Sequence, residues 1–247
     1  MNTEIQRCWK TKNPLYLKYH DEEWGVPIHD DRLLFEFLVL GGFQAGLTWE
    51  LILKRRDAFR FAFDNFDPKK MANYNEKKME QLMHNSMIIR NRQKILSAVN
   101  NAKRFLEIKK DQDSFNQFIW SFIPSQRTGF NAYDYSDLPV ETNESKKMSE
   151  ELKKKGFTFV GPKICYAFMQ AVGIVNDHLI GCFRSKEINF RNNYYLLLKK
   201  KQKSFIGQIW HLGFLDVHTK APKSKSAKFV SLALFSGEIS LTKFQIV

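Results

Sequence analysis

The chain has no apolar run approaching the ~20 residues a membrane span requires, so no transmembrane helix is expected. Its first ten residues, MNTEIQRCWK, lack the apolar stretch of a signal peptide. Cysteine is scarce: Cys8, Cys165 and Cys182 lie far apart and give no disulfide framework. That favours a reducing, cytoplasmic interior. No internal repeat and no Gly/Ser-rich linker is visible. Acidic residues are the minority, 26 Asp/Glu against 39 Lys/Arg, for a net charge of +13. Basic chains meet nucleic acid or anionic surfaces. A lysine-rich source composition would produce the same excess, so charge alone does not choose. What is plentiful is large apolar side chains, including 22 Phe and 5 Trp. These suit one compact domain of roughly 180 residues with something added.

Residues 1–30 read as irregular and aromatic-rich, with Trp9, Tyr16, Tyr19 and Trp24. Asp30 caps a helix through LLFEFLVL that ends at Gly41-Gly42. A second helix, about Gln44 to Phe63, has Leu47, Leu51, Ile52, Phe59 and Phe63 at helical spacing. Asp67-Pro68 opens a helix to about His84. Others run from about Ile89 to Ile108 and over Ser114 to Phe122. Residues 125–142 read as a polar loop. Up to Cys182 the pattern is all-α. Beyond Arg184 the character changes. Residues 185–247 hold eleven Lys/Arg and three Asp/Glu, a net +8, which leaves +5 for residues 1–184. Phe190 to Gln202 reads as a basic helix and Ala221 to Lys228 as a loop. FVSLALF and ISLTKFQIV, separated by Ser236-Gly237-Glu238, read as a β-hairpin. This tail is either an appended module or a poorly packed extension.

The chain is organised around residues 156–182, GFTFVGPKICYAFMQAVGIVNDHLIGC. The charged helix former MSEELKKK stops at Gly156, a left-handed C-cap residue. Gly161-Pro162 opens the next helix, Pro162 to about Val172, with Ile164, Cys165, Phe168, Met169 and Val172 on its apolar face. This is a helix-hairpin-helix pattern, whose turn leaves backbone N–H groups free to hold a phosphate, flanked by Lys155 and Lys163. An ordinary antiparallel helix pair with solvated lysines fits the same residues. His178 and Cys182, at i and i+4 on one side of a helical turn, pair in type with Cys8 and His20. A closed set of two thiolates and two imidazoles suits a structural Zn²⁺. On spacing alone, four separate buried residues is the simpler reading.

Taken together, RCW, NPLYLKYHDEEWGVPIHDDRLLFEFLVL, FQAGLTWELILKRRDAFRFAFDNFDPKKMA, IIRNRQKILSAVNNA and LKKKGFTFVGPKICYAFMQAVGIVNDHLIGC closely resemble the DNA-3-methyladenine glycosylase I family, over about Arg7 to Cys182 and in matching order. The resemblance does not cover residues 185–247. It implies the helix-hairpin-helix DNA glycosylase fold and base-excision repair: hydrolysis of the N-glycosidic bond of an alkylated adenine in double-stranded DNA, leaving an abasic site. It implies one structural zinc on Cys8, His20, His178 and Cys182, which reverses the simpler reading above. Trp9 follows Cys8 directly where the family has one residue between. It implies a base pocket of Tyr16, Tyr19, Trp24 and Trp49, in which an extruded base stacks on aromatic faces. Ala45-Gly46-Leu47 resembles the wedge that enters the duplex. The DNA contacts then fall on Gln44, Gly46, Leu47, Lys155, Gly156, Gly161 and Lys163.

One position departs from the family. Where its motif has a glutamate that hydrogen-bonds the methylated base, this chain has Gly41. Glu36 lies on the same expected helix but about 140° round it, and is not a substitute. Gly41 opens two further readings, a same-fold glycosylase with altered lesion choice and a DNA-binding relative without catalysis. Asn176 holds the place where many helix-hairpin-helix glycosylases carry a catalytic aspartate, and Asp177 follows it. A cationic leaving base needs little more than capture and a positioned water. The expected organisation is therefore a glycosylase domain, 1–184, and a basic extension, 185–247. The protein would act as a monomer in the cytoplasm on nucleoid DNA, with no membrane and no protein partner.

Overall fold

The computed structural model describes residues 6–112, 114–124 and 132–188, with the backbone of 233–235 and 238–240. Two compact units divide the chain, Met1–Leu198 and Lys199–Val247. In the first, every described regular element is helical: α1 (Pro14–Glu22), α2 (Asp31–Gln44), α3 (Trp49–Ala62), α4 (Pro68–Met71), α5 (Glu76–His84), α6 (Arg92–Gln112), α7 (Phe115–Trp120), α8 (Asn143–Lys154), α9 (Pro162–Ala171) and a last helix, α10, at residues 183–188. In the second unit, Ala233–Phe235 pairs antiparallel with Glu238–Ser240, so the second strand starts at Glu238, one residue inside the segment read as the turn. The basic helix read over 190–202 and the loop over 221–228 lie outside the described residues, as do residues 125–131. Among the described residues no helix is long and apolar enough to cross a membrane.

Side-chain caps set most helix starts. Asn13, Asp30, Thr48, Asp67, Asn75, Ser114 and Thr142 each accept a hydrogen bond from a first-turn N–H, and Asn91 does the same for Lys94. Such caps satisfy donors that have no intrahelical partner. The core forms around α2, whose residues from Leu34 to Phe43 are all buried. It packs against α3, α6, α7 and α9.

Four readings of the sequence need correction. The aromatic N-terminal stretch contains a helix, α1, with Asn13 as cap and Pro14 in its first turn. Helix α2 runs through Gly41-Gly42 to Gln44 rather than stopping there. Gly42 is a place of close packing, where a Cβ would stand 3.3 Å from the Cβ of Phe159, whereas Gly41 faces a cavity. The next helix begins at Trp49, so Ala45, Gly46 and Leu47 form a turn between α2 and α3. The expected single helix from Pro68 to His84 is two, because Asn75 caps a new one. The hairpin agrees with the sequence: Gly156 sits at φ +82° after α8, and Gly161 precedes Pro162 at the start of α9.

Gly173 fixes the far end of this unit. Its φ is +74°, and a Cβ there would lie 2.5 Å from the carbonyl oxygen of Gly25 and the nitrogen of Pro27. Only glycine lets the segment after α9 cross residues 25–28 so closely. Two backbone bonds seal that crossing, Gly25 N–H to the Gln170 carbonyl at 3.1 Å and Ile28 N–H to that of Val172 at 3.1 Å.

Candidate active site and metal cluster

Helices α1, α2, α3 and α9 line a partly open cavity of about 130 Å³. Tyr16 and Tyr19 come from α1, Trp24 from the turn after it, Gly41 and Gln44 from α2, and Trp49 from the first position of α3. The five expected pocket positions therefore share one cavity. Gln44, expected at the DNA contact, lines it too. Sequence reasoning missed Trp9, Phe37, Tyr135 and Gln170. Trp9 stacks on Tyr16 with ring centroids 4.6 Å apart and meets Trp24 at 4.8 Å. Its place next to Cys8 was the available signal. Tyr135 stacks on Trp24 at 6.4 Å from a short 3₁₀ turn, Tyr135–Asp137. No local pattern marked it.

The wall carries no charged side chain. Burial raises the Tyr16, Tyr19 and Tyr135 phenols above their ordinary range. They remain neutral at physiological pH. The indole nitrogen of Trp49 is buried and has no hydrogen-bond partner among the described residues. Charge stands outside the lining. Arg56 makes a two-point ion pair with Glu23, at 2.5 and 2.8 Å, which ties the end of α1 to α3. Glu36 is fully buried and paired with Arg60, 2.8 Å from its Nε, so it is turned to another task. Behind the wall, Asp177 accepts hydrogen bonds from Tyr166 at 2.5 Å and Gln170 at 2.8 Å. Asn176 does not reach the lining. Its amide donates to the Ser185 carbonyl at 3.0 Å and its oxygen accepts from the His178 N–H at 3.2 Å.

Cys8, His20, His178 and Cys182 converge, their ligand atoms all within 4.8 Å of one another. His178 and Cys182 do so without the expected helical turn, because residues 176–179 are irregular and 180–181 form a turn. Sulfur and nitrogen ligands on a tetrahedral zinc stand about 3.5 Å apart, given bonds of about 2.3 and 2.0–2.1 Å. The Cys8 Sγ–His178 Nδ1, Cys182 Sγ–His20 Nε2 and Cys182 Sγ–His178 Nδ1 separations are 3.4, 3.5 and 3.5 Å. The remaining ring nitrogens are engaged. His20 Nδ1 lies 2.8 Å from Asp21, which Arg7 grips, and His178 Nε2 lies 3.0 Å from the Trp24 carbonyl. Those bonds fix the tautomers that put the ligating lone pair on Nε2 of His20, where the Cys8 N–H now donates at 3.3 Å, and on Nδ1 of His178. The Leu179 N–H donates to the Cys8 sulfur at 3.3 Å. Hydrogen bonding to the Cys8 thiol holds Cys182 well below the ordinary thiol range. The donor set fits a structural zinc. Cys165 lies apart, buried on α9 with its sulfur 3.4 Å from the Val160 carbonyl.

The expected DNA contacts divide into two groups. Leu47 is an exposed apolar side chain at the turn after α2. Gly46, at φ +76°, has open space around it. A shallow hollow joins this turn to Lys163 and to Gly41 at the cavity. Gly161 likewise has open space where a Cβ would be and gives α9 no side-chain cap. Lys155 and Gly156 sit on the other side of the hairpin. The Lys155 ammonium lies 5.6 Å above the Phe118 ring, and the Gly156 carbonyl accepts from Asn100 at 2.8 Å.

The family described as methyladenine glycosylase matches residues 9–185. The chain is 45% identical over 179 residues to DNA-3-methyladenine glycosylase 1 of Escherichia coli K12, covering 72% of this chain and 96% of that protein. It is 44% identical over 177 residues to DNA-3-methyladenine glycosylase of Haemophilus influenzae, covering 71% and 96%. A crystal structure of 3-methyladenine DNA glycosylase I superposes with a TM-score of 0.70 at 46% identity, covering 72% of this chain and 98% of that one. The Staphylococcus aureus 3-methyladenine DNA glycosylase I, solved for the structural basis of 3-methyladenine recognition, gives 0.69 at 35% identity, covering 71% and 94%. With the aromatic cavity, the hairpin and the Cys/His cluster in place, the chain belongs to the methyladenine glycosylase family.

Proposed function

We propose that this protein is a monofunctional DNA glycosylase that hydrolyses the N-glycosidic bond of 3-methyladenine in double-stranded DNA. The observation that carries the reading is the partly open cavity faced by Trp9, Tyr16, Tyr19, Trp24 and Trp49, with no charged side chain among its described lining residues. A base must leave the duplex to be cut, and such a cavity receives it by stacking. The N3-methylated base is cationic until the bond breaks, so each aromatic face adds a cation–π attraction of roughly 0.5–2 kcal/mol. The leaving base departs neutral, and its capture accompanied by attack of water suffices for chemistry on a labile bond. The names of the relatives favour this reading over a DNA-binding relative without catalysis. Gly41 leaves the wall without a carboxylate, so stacking carries recognition.

Leu47 at the turn after α2 is proposed to fill the gap left by the extruded base, with Gln44 and Gly46 beside it. Gly156, Gly161, Lys155 and Lys163 are proposed to hold the backbone downstream through the hairpin turn. The Cys8, His20, His178 and Cys182 set is proposed to hold one zinc ion. In a closed set of four ligands the ion supplies no chemistry to the reaction. Those residues tie the segment bearing Trp9 to the segment after α9. The glycosylase domain is proposed to extend four residues past the expected boundary at 184. Ile188 is fully buried and the Ser185 carbonyl is engaged by Asn176. The basic remainder is proposed to add phosphate contacts, and the enzyme to work as a monomer.

The test is base release from methylated duplex DNA, separating 3-methyladenine from 7-methylguanine and 3-methylguanine. Release of 3-methyladenine above the spontaneous rate is expected. Release of other bases alone would assign a different lesion, and release of none would remove the glycosylase reading.

A further inference from the structure

Lys94 is a cation turned inward beside the proposed DNA-facing surface. It is 8% exposed, and its ammonium donates to the carbonyls of Phe43 at 2.8 Å and Ala45 at 2.6 Å. Those carbonyls close the C-terminal end of α2, where helix carbonyls lack partners and the helix dipole favours a positive charge. The two neighbouring carbonyls are satisfied within the turn: Gly42 accepts from the Ala45 N–H at 3.3 Å, and Gln44 from the Leu47 N–H at 2.6 Å. All four carbonyls from 42 to 45 are thus held, and among the described residues Lys94 is the partner of two of them. Burial lowers the Lys94 pKa, and no carboxylate offsets that cost among the described residues.

The same face of α6 also grips the hairpin. Ser97, one turn on, donates to the Thr158 carbonyl at 3.2 Å and accepts from the Thr158 hydroxyl at 2.8 Å. Asn101, a further turn on, exchanges two hydrogen bonds of 2.9 Å with the Thr158 backbone. Asn100 reaches the Gly156 carbonyl. One helix therefore carries both the turn bearing Leu47 and the hairpin turn.

We infer that Lys94 is a positioning residue: it fixes the Leu47 turn on α6, at a set distance from the hairpin, so that Leu47 is already in place when the base leaves the stack. This deepens the proposed glycosylase reading and rests on it. Lys94 has no role as a phosphate contact, because its ammonium is already bound.

The experiment compares wild type, Lys94→Met, Leu47→Ala and the double variant. In Lys94→Met, hydrogen exchange is expected to quicken by about tenfold or more at amides 45–47 and to stay unchanged at 156–161. Binding of free 3-methyladenine, read by tryptophan fluorescence, should stay within about twofold. Affinity for undamaged duplex and its salt slope should also hold, whereas neutralising a phosphate-contacting lysine lowers that slope by about 1. Single-turnover release of 3-methyladenine should fall about tenfold or more, with little added loss when Leu47→Ala is combined. Unchanged exchange at 45–47 overturns the inference whether or not the protein is a glycosylase. So does loss of free-base binding, which assigns Lys94 to the fold at large, or a reduced salt slope, which makes it a phosphate contact. Absence of release by wild type, with exchange behaving as expected, overturns the glycosylase reading and leaves the strut standing.

Discussion

Substituting Gly41→Glu tests how the cavity recognises its base. Gly41 lies in the penultimate stretch of α2 and lines the cavity. A Cβ there would stand 3.5 Å from Cγ2 of Ile164, an ordinary contact, so the side chain enters without displacing the helix. Replacing glycine inside a helix gains about 0.5–1 kcal/mol from propensity. Placing a carboxylate among neutral aromatic faces costs a comparable or larger amount while the cavity is empty. The two nearly offset if water still reaches the site, and Tm should move by no more than about 4 °C. With a cationic or amino-bearing base in the cavity, the carboxylate gains a charge-assisted hydrogen bond of about 1.5–3 kcal/mol. That is about 10- to 150-fold tighter binding of 3-methyladenine. Quenching of Trp9, Trp24 and Trp49 fluorescence reports it directly. Gly41→Gln, equal in shape and neutral, should gain less. A folded Gly41→Glu protein that binds no tighter than Gly41→Gln would refute the reasoning, because position 41 would then not face the base.

Other outcomes follow from the same geometry. Metal analysis should find one zinc per chain. Cys182→Ser should abolish its retention and lower Tm, by loosening residues 8–20 from 178–182. Gly173→Ala should cost more than about 3 kcal/mol, a fall in Tm of about 10 °C, since its Cβ has backbone atoms 2.5 Å away and cannot be relieved by a side-chain shift. Deletion of residues 189–247 should lower affinity for duplex DNA and flatten its salt dependence, measured by titration at several salt concentrations. An unchanged slope would show that the extension does not meet phosphate.

Much of the fold was legible because local chemistry decides it. Asp30 and Asp67 are helix caps, and Gly156 followed by Gly161-Pro162 marks the hairpin. The aromatic run hid α1, where the Asn13-Pro14 pair was the signal to read. Gly41-Gly42 looks like a helix stop, yet Gly42 lacks a side chain where Phe159 packs and Gly41 where the cavity opens, tertiary reasons no local pattern contains. The cavity was legible where its residues cluster near the N-terminus. Tyr135 and Gln170 join it from distant segments that only folding brings near. His178 and Cys182 were paired by helical spacing, but an irregular loop held by Asn176 and Trp24 aims them.

The proposed function turns on an uncharged aromatic cavity that captures and releases 3-methyladenine. Its most direct test is the single-turnover release of 3-methyladenine from methylated duplex DNA by wild type, Tyr19→Ala and Trp49→Ala, with folding and zinc content checked for each. Release by wild type and its loss in both variants are expected. Full release by the folded variants would contradict that role for the cavity.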